Sequence, residues 1–255
     1  MTAQCAPLND ARISIILTCY NEAKYLERAV RRIRALFAHL NHVHEIIVVD
    51  DGSSEQEFSL LTELQRRENI ILLRNPENSG RGASVIKGFQ SASAPIVGYI
   101  DTDLEIPEIG IAPLVIALSQ GACDAAIGVR IDVSPWSMST AFRRMLTAGY
   151  KAIVNTLLQA QGYDTTCGLK FFKRSAILPV LAEVEDMRWF FDTELIVRAI
   201  QKGLVVRQFP VILERDTSKK SSMSLAHAAI FEHLRPILRF WWSGLARRRA
   251  EPLPK

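Results

Sequence analysis

Glu45-Ile46-Ile47-Val48-Val49-Asp50-Asp51-Gly52-Ser53 is an unbroken apolar run that ends in two acids and a turn. A strand with one wet face alternates apolar and polar residues. One without alternation is buried on both faces, as in a parallel sheet covered by helices. The same kind of unit recurs on either side. Ile13 to Thr18 is a short β-rich run, followed by Leu26, Ala29, Val30, Ile33, Phe37 and Leu40 at helical spacing. Ser54 can cap a helix reaching about Arg67, and Ile70 to Leu73 predicts a third strand. A helix over about Gly82 to Ala92 precedes a fourth strand, Ile96 to Ile100. The alternation predicts an α/β fold: a mostly parallel central sheet with helices on both faces.

Beyond the fourth strand, Pro107 suits the first turn of a helix extending to Leu118, and Ala125 to Val129 predicts another strand. A long helix over about Ser137 to Gln159, a strand at Leu169 to Phe172, a helix at about Phe190 to Lys202 and a strand at Val205 to Val211 complete the reading. The expected organisation is a tail at 1–12, one domain at 13–222 and a C-terminal amphipathic basic helix and tail at 223–255. Within the domain, 13–130 is a nucleotide-binding half and 131–222 an acceptor half.

With 255 residues and 48% apolar content, the chain can bury a full core as one domain. Cys5, Cys19, Cys123 and Cys167 are too widely spaced for a CxxC ligand pair, so reduced and mostly packed thiols are expected. Met1 to Arg12 has no apolar block behind a basic start, so a cytoplasmic location is expected. The strongly apolar stretch free of charge, Ile109 to Cys123, is shorter than the ~20 residues that cross a bilayer. The net charge of +4 is mild but uneven, because Arg215, Lys219, Lys220, Arg235, Arg239 and Arg247 to Arg249 face only Asp216 and Glu232. Something anionic is expected at that end. No aromatic stacking platform accompanies the run, so no nucleic acid is expected as a partner.

In open sheets of this kind, ligands bind at the carboxyl ends of the strands. Acids stand at two such ends: Asp50-Asp51, and Asp101-Thr102-Asp103-Leu104-Glu105. Clustered carboxylates repel one another and need cations or donors to offset the cost. A divalent metal held by Asp101 and Asp103, with Glu105 near it, supplies that charge and can bridge two phosphates. A D-x-D alone is weak evidence, since many such pairs are solvated turns, but its place after a buried strand gives it weight. Asp50 and Asp51 are better suited to accepting hydrogen bonds from a nucleobase or ribose. The alternative is that Asp-Asp-Gly-Ser only turns the chain and caps the next helix.

Several ordered stretches together carry a family resemblance: Thr18-Cys19-Tyr20-Asn21-Glu22, Val48 to Ser53, Asn78-Ser79-Gly80-Arg81-Gly82 and the D-x-D. Taken together they resemble the family 2 glycosyltransferases of the GT-A fold. Asp164-Thr165-Thr166-Cys167-Gly168-Leu169-Lys170 and Phe191-Asp192-Thr193-Glu194-Leu195 are similar to stretches of the dolichyl- and undecaprenyl-phosphate mannosyl- and glucosyltransferases. The resemblance implies a UDP- or GDP-hexose donor, a polyprenyl-phosphate acceptor and Mg2+ or Mn2+. It implies nucleotide contacts at Tyr20, Glu22, Asp51, Gly80, Arg81, Asp101 and Thr102, with Asp50 contacting the nucleotide or supporting its loop. Metal would fall to Asp101, Asp103 and Glu105, and acceptor phosphate to Arg130, Arg143 or Arg144, Arg215 and Lys219. Asp192, Asp103 and Arg130 would be catalytic. The chain departs from the pattern in lacking a glycine in Arg215-Asp216-Thr217-Ser218-Lys219. It also carries Thr166 where many glucose-type relatives have Gln.

An inverting transfer needs charge stabilised on the leaving diphosphate; a hydroxyl acceptor needs a general base as well, whereas a phosphate acceptor is already anionic. Asp192 stands where hydroxyl-using relatives keep that base, so the second reading is transfer to a glycan or lipid hydroxyl with Asp192 as base. Apolar residues from Ile230 through Leu234, Ile237, Leu238, Trp241, Trp242 and Leu245 fall along one side of a helix flanked by arginines. That pattern suits an interfacial helix at a membrane surface, and the alternative is a helix packed on the domain or a dimer partner. The expected position is peripheral, at the cytoplasmic face. A haloacid-dehalogenase-type phosphatase is disfavoured because Glu105 stands where that motif carries Thr or Val. A dinucleotide enzyme fails because Val85 occupies the third glycine position of G-x-G-x-x-G. A non-catalytic nucleotide-binding module would bind without turnover.

Overall fold

The computed structural model describes residues 12–40, 44–133, 138–214 and 235–242. The first half repeats strand and helix: β1 (Ile13–Cys19), α1 (Ala23–Leu40), β2 (His44–Asp50), α2 (Glu55–Glu68), β3 (Ile71–Arg74), α3 (Arg81–Ser91) and β4 (Ile96–Ile100). A 3-10 turn (Glu108–Gly110), α4 (Ile111–Ser119), β5 (Ala125–Asp132) and α5 (Met138–Leu158) follow. Then come β6 (Leu169–Lys173), α6 (Arg174–Leu181), α7 (Phe191–Gln201) and β7 (Val206–Leu213). A last helix, α8, covers residues 235–242.

The strands form one sheet in the order β3-β2-β1-β4-β6-β5-β7. β6 alone runs against its neighbours, pairing antiparallel with both β4 and β5. Burial on both faces explains the unbroken apolar strands. Ile15, Leu17, Ile46 and Val48 pack towards α1, α2 and α4, while Ile16, Ile47 and Val49 pack towards α3, α6 and α7. A third cluster joins Val154 and Leu158 of α5, Val197 of α7 and Ile237 and Phe240 of α8.

Register positions the site. Cys19 pairs with Asp50 in the parallel β1–β2 ladder, so the two chains leave the sheet at the same level. Ile100 faces Leu169 across the antiparallel β4–β6 ladder, which sets Asp101 beside Gly168.

Three details differ from the sequence expectation. Pro107 precedes a 3-10 turn rather than opening the α-helix, which begins at Ile111. α6 was not anticipated, because its eight residues follow β6 with no intervening turn signal. β5 continues to Asp132, which carries Arg130 on the strand instead of after it. Cys19, Cys123 and Cys167 are buried and unbonded to one another. Among the described residues no helix is long and apolar enough to cross a membrane. Arg215, Lys219 and most of the basic C-terminal run lie outside the described residues, as does the side chain of Arg143 on α5.

Candidate active site

At the carboxyl ends of β1, β2 and β4 a cleft of about 490 Å³ opens, lined among others by Tyr20, Glu22, Asp51, Gly80, Arg81 and Asp101 to Asp103. Its size is that of a site for a small organic ligand. Of the predicted nucleotide and metal residues, Asp50 and Glu105 do not line it.

Asp50 is fully buried and turns away from the cleft. One oxygen accepts from Ser53 N at 3.2 Å and the other lies 3.2 Å from Arg74 Nε. It holds the turn and cannot also reach a ligand, so the expectation that it contacts nucleotide gives way to a supporting part. Asp51 lines the cleft but also organises it. Oδ1 accepts from Asn75 Nδ2 at 2.8 Å and Ser79 N at 3.0 Å, and Oδ2 accepts from Gly80 N at 2.9 Å. The carboxylate thereby fixes the 78–81 loop against β2. Asn21 locks the loop after β1 to the same corner, receiving Ser54 N on its side chain at 2.9 Å and donating its own N–H to Ser53 Oγ at 2.8 Å.

Gly80 has φ +99, and a β-carbon there would stand 2.4 Å from the carbonyl oxygen of Met187. That carbonyl accepts from Gly82 N at 2.8 Å and Ala83 N at 3.3 Å. The amides of Gly82 and Ala83 in the first turn of α3 are therefore satisfied by protein and are not left open to cradle a phosphate. The same loop carries Arg188 and Trp189 into the cleft lining. Asp186 braces it by accepting from Arg188 N and Phe190 N, and Glu194 by accepting from Glu185 N and Asp186 N. Sequence reasoning missed Arg188 and Trp189, which reach this cleft only because α7 packs beside α3. Glu194 itself is buried and paired with Arg198 at 2.6 Å.

Asp101 and Asp103 both line the cleft at the end of β4, where Leu104 at φ 53 tightens the turn. The backbone of Glu105 is tied to the end of β7, its carbonyl accepting from Glu214 N at 2.7 Å. Glu105 does not line the cleft, and among the described residues no group of three His, Cys, Asp or Glu is placed to hold a metal. Arg81 instead donates to Asp101 and lies 3.4 Å from Asp192.

Asp192 does not line the cleft. Its carboxylate receives Tyr99 Oη at 2.5 Å and the ammonium of Lys170, which is fully buried. Burial pushes this carboxyl up, but Lys170 and Arg81, with the hydrogen bonds from Lys170 and Tyr99, outweigh it and hold it below the usual range. A base needs a lone pair aimed at substrate; here Tyr99 and Lys170 both donate to Oδ1, and Oδ2 lies beside the Arg81 guanidinium. Two signals pointed here unread: Tyr99 and Lys170 each interrupt a buried apolar strand, and a buried polar tip or ammonium requires a partner.

A second cleft, about 210 Å³, is lined by Arg130, Arg144, Lys151, Thr147 and Asp164. Arg130 grips Asp164 through two donors, Nε at 3.1 Å and Nη2 at 2.8 Å, and Lys151 Nζ lies 3.2 Å from the same carboxylate. Burial opposes ionisation of Asp164, yet the bonds and charge of Arg130, with Lys151, bring its pKa down to about 2. Segment 164–168 is shared between the two clefts. Asp164 and Thr166 hold Arg130 on one side, and Gly168 backs Asp101 on the other.

Comparison with known proteins identifies the family and the fold. The profile "Glycosyl transferase family 2" matches residues 14–178. The glycosyltransferase AglD of Haloferax volcanii is 30% identical over 240 residues, 93% of this chain and 38% of that protein's length. A dolichyl-phosphate beta-glucosyltransferase of Dictyostelium discoideum is 26% identical over 254 residues, 92% of this chain and 78% of the relative. The chain therefore spans well under half of the archaeal relative and most of the amoebal one. Among solved structures, glucosyl-3-phosphoglycerate synthase from Mycobacterium tuberculosis with Mn2+ and UDP-glucose superposes with a TM-score of 0.67 at 17% identity, over 89% of this chain and 79% of that one. The mannosyltransferase PcManGT from Pyrobaculum calidifontis with GDP-Man and Mn2+ gives 0.64 at 16% identity, over 96% and 67%. These structural likenesses are of fold.

Proposed function

The chain belongs to glycosyltransferase family 2, and from that premise we propose that it moves a hexose from a nucleotide-diphosphate sugar to a polyprenyl phosphate, with inversion. The observation that carries the reading is the pair of adjoining clefts. One has two acids at a strand end; the other gathers Arg130, Arg144 and Lys151 around a single carboxylate. A basic cleft beside a donor cleft suits an anionic acceptor, and Arg130, fixed by Asp164, presents a preorganised guanidinium to phosphate. The relatives named for dolichyl phosphate support the same acceptor class.

Asp101 and Asp103 suit Mg2+ or Mn2+, because paired carboxylates are hard oxygen donors and the diphosphate and water can supply the remaining ligands. Such a metal would stabilise charge on the departing nucleoside diphosphate. Tyr20, Glu22 and Asp51, at the β1 and β2 end, are the nucleoside side of the cleft in this reading. Arg81 and Thr102 flank the diphosphate. Arg215 and Lys219 would add to the acceptor grip. The runner-up, transfer to a hydroxyl, needs Asp192 as base. It is disfavoured because Lys170 and Tyr99 both donate to Oδ1 of that carboxylate and the Arg81 guanidinium stands 3.4 Å from Oδ2.

The C-terminal helix supports a peripheral position at the cytoplasmic face of a membrane. Ile237 and Phe240 pack on the domain, while Arg235, Leu238, Arg239 and Trp242 share the opposite, exposed face. Arginines beside a tryptophan and a leucine fit an anionic headgroup layer.

The test is nucleoside diphosphate release from UDP- and GDP-sugar donors, with Mg2+ or Mn2+, with and without a short-chain polyprenyl phosphate. Release requiring metal and lipid phosphate together is expected. Release that ignores lipid phosphate and answers to a hydroxyl acceptor would transfer the assignment to the runner-up.

A further inference from the structure

We propose that Arg81 is a built-in counter-cation of Asp101, which a divalent metal displaces only when a nucleoside diphosphate is there to receive the guanidinium. The inference rests on the donor-site reading above and adds to it an order of binding and a moving part.

Four groups of alternating charge run from the core to the cleft: Lys170, Asp192, Arg81 and Asp101. The inner two are fixed. Lys170 is fully buried and donates to Asp192 and to the carbonyl of Cys167, and Asp192 also receives Tyr99 Oη at 2.5 Å. The outer pair is built differently. Arg81 Nη1 donates to Oδ1 of Asp101, while its Nε stands 3.4 Å from Asp192, within ion-pair range but with no hydrogen bond made.

This arrangement leaves Asp101 little room for a metal. Oδ1 is taken by the guanidinium, and Oδ2 rests against Gly168. A dication approaching Oδ1 meets a positive charge already in contact with the oxygen it needs, and like charges this close repel strongly. No third acid is at hand to outbid it among the described residues. Metal alone is therefore expected to bind poorly.

A diphosphate changes the balance. Arg81 is the first residue of α3, its backbone fixed by the loop that Asp51 holds and by the Met187 cap on the next two amides. With the amides of Gly82 and Ala83 occupied by Met187, the side chain of Arg81 is the charged donor at this helix end, and it lines the cleft. Its planar fork matches phosphate oxygens. When it turns to the diphosphate, Asp101 gains the metal in exchange. Asp192 is not stranded, because Lys170 and Tyr99 still pair with it. Every charge keeps a partner throughout, so the exchange carries no large desolvation cost.

The experiment is Mn2+ titration of the full chain without nucleotide, followed by electron paramagnetic resonance, on wild type and Arg81→Met. The variant is expected to bind Mn2+ alone more tightly than wild type by on the order of tenfold, the size of an ordinary coupling between sites. Its affinity for UDP and GDP, titrated separately, is expected to fall. Equal Mn2+ affinity in the two proteins would overturn the counter-cation role and leave the metal reading intact. Absence of Mn2+ binding in both, even with UDP or GDP present, would overturn the metal reading along with it. Should Arg81→Met fail to fold, the Nε–H resonance of Arg81 in wild type serves instead. It is expected to move with Mg2+ plus UDP or GDP and to stay in place with Mg2+ alone, and movement with Mg2+ alone would sink the proposal.

Discussion

Asp101 and Gly168 touch: a β-carbon built on Gly168 would lie 1.7 Å from Oδ2 of Asp101. The antiparallel pairing of Ile100 with Leu169 brings the two together, so the first acid of the D-x-D is seated on bare backbone. Any side chain at 168 must push the carboxylate off its seat. Gly168→Ala is expected to lower kcat on the order of a hundredfold, the scale seen when a group stabilising transition-state charge is lost. Circular dichroism should show the fold retained, because the clash is at a cleft rim. Wild-type kcat in this variant would mean that the seat of Asp101 does not matter.

Asp103 lines the donor cleft beside Asp101. Asp103→Ala is expected to cost on the order of a hundredfold or more in transfer while the melting temperature stays near wild type, and chelation of divalent cations should abolish wild-type transfer reversibly. The paired assay of turnover and thermal melting checks both halves.

Asp192 should behave as a core residue. Asp192→Asn leaves the buried Lys170 ammonium without its carboxylate, so about 3–5 kcal/mol of stability should be lost. Denaturant unfolding of the single variant and of Asp192→Asn with Lys170→Met separates the possibilities. Recovery of stability in the pair identifies the lost ion pair, whereas a stable but inactive Asp192→Asn protein would restore Asp192 as a base.

The hold of Arg130 and Lys151 on Asp164 makes stability depend on acid. A carboxyl held at about 2 in the fold and near the ordinary 3.8 when unfolded contributes stability that is complete above pH 4. That contribution is lost as pH falls through about 2, and amounts to roughly 2 kcal/mol. Unfolding free energies at pH 7, 4 and 3 should therefore decline for wild type below pH 4, and decline less for Asp164→Asn, whose lower baseline reflects an unpaired Arg130. Parallel pH curves would remove Asp164 from the account.

Opposite faces of α8 should answer to different measurements. Phe240 is buried against Phe190, ring centroids 5.7 Å apart, so Phe240→Ala should cost about 3–5 kcal/mol of stability. Trp242 is 76% exposed, so Trp242→Ala with Leu238→Ala should change stability by no more than about 0.5 kcal/mol per site, yet weaken binding to anionic liposomes in a sedimentation assay. Unchanged sedimentation would leave the helix as a packing element.

The order and kind of the early elements were legible because each is written in a local pattern. Apolar runs from Ile13, Glu45 and Ile96 are strands, and heptad-like spacing from Leu26 to Leu40 is a helix. The motifs at Tyr20 to Glu22, Asp51, Gly80-Arg81 and Asp101 to Asp103 were legible as well, since strand ends in a parallel sheet point to one edge and the residues there converge. The part each acid plays was not. Asp50 and Asp51 are neighbours in sequence but on successive sides of the chain, one turned to Arg74 and the other to the 78–80 loop. The pairing of Arg81 with Asp101 and Asp192, the Met187 cap on α3 and the seat of Asp101 on Gly168 join residues far apart in the chain. No local periodicity encodes such contacts. They depend on the reversed insertion of β6 between β4 and β5 and on the packing of α7 beside α3, so sequence determined the sheet and the acids at its edge, and tertiary packing decided which acid is held, which is braced and which lies beside a cation.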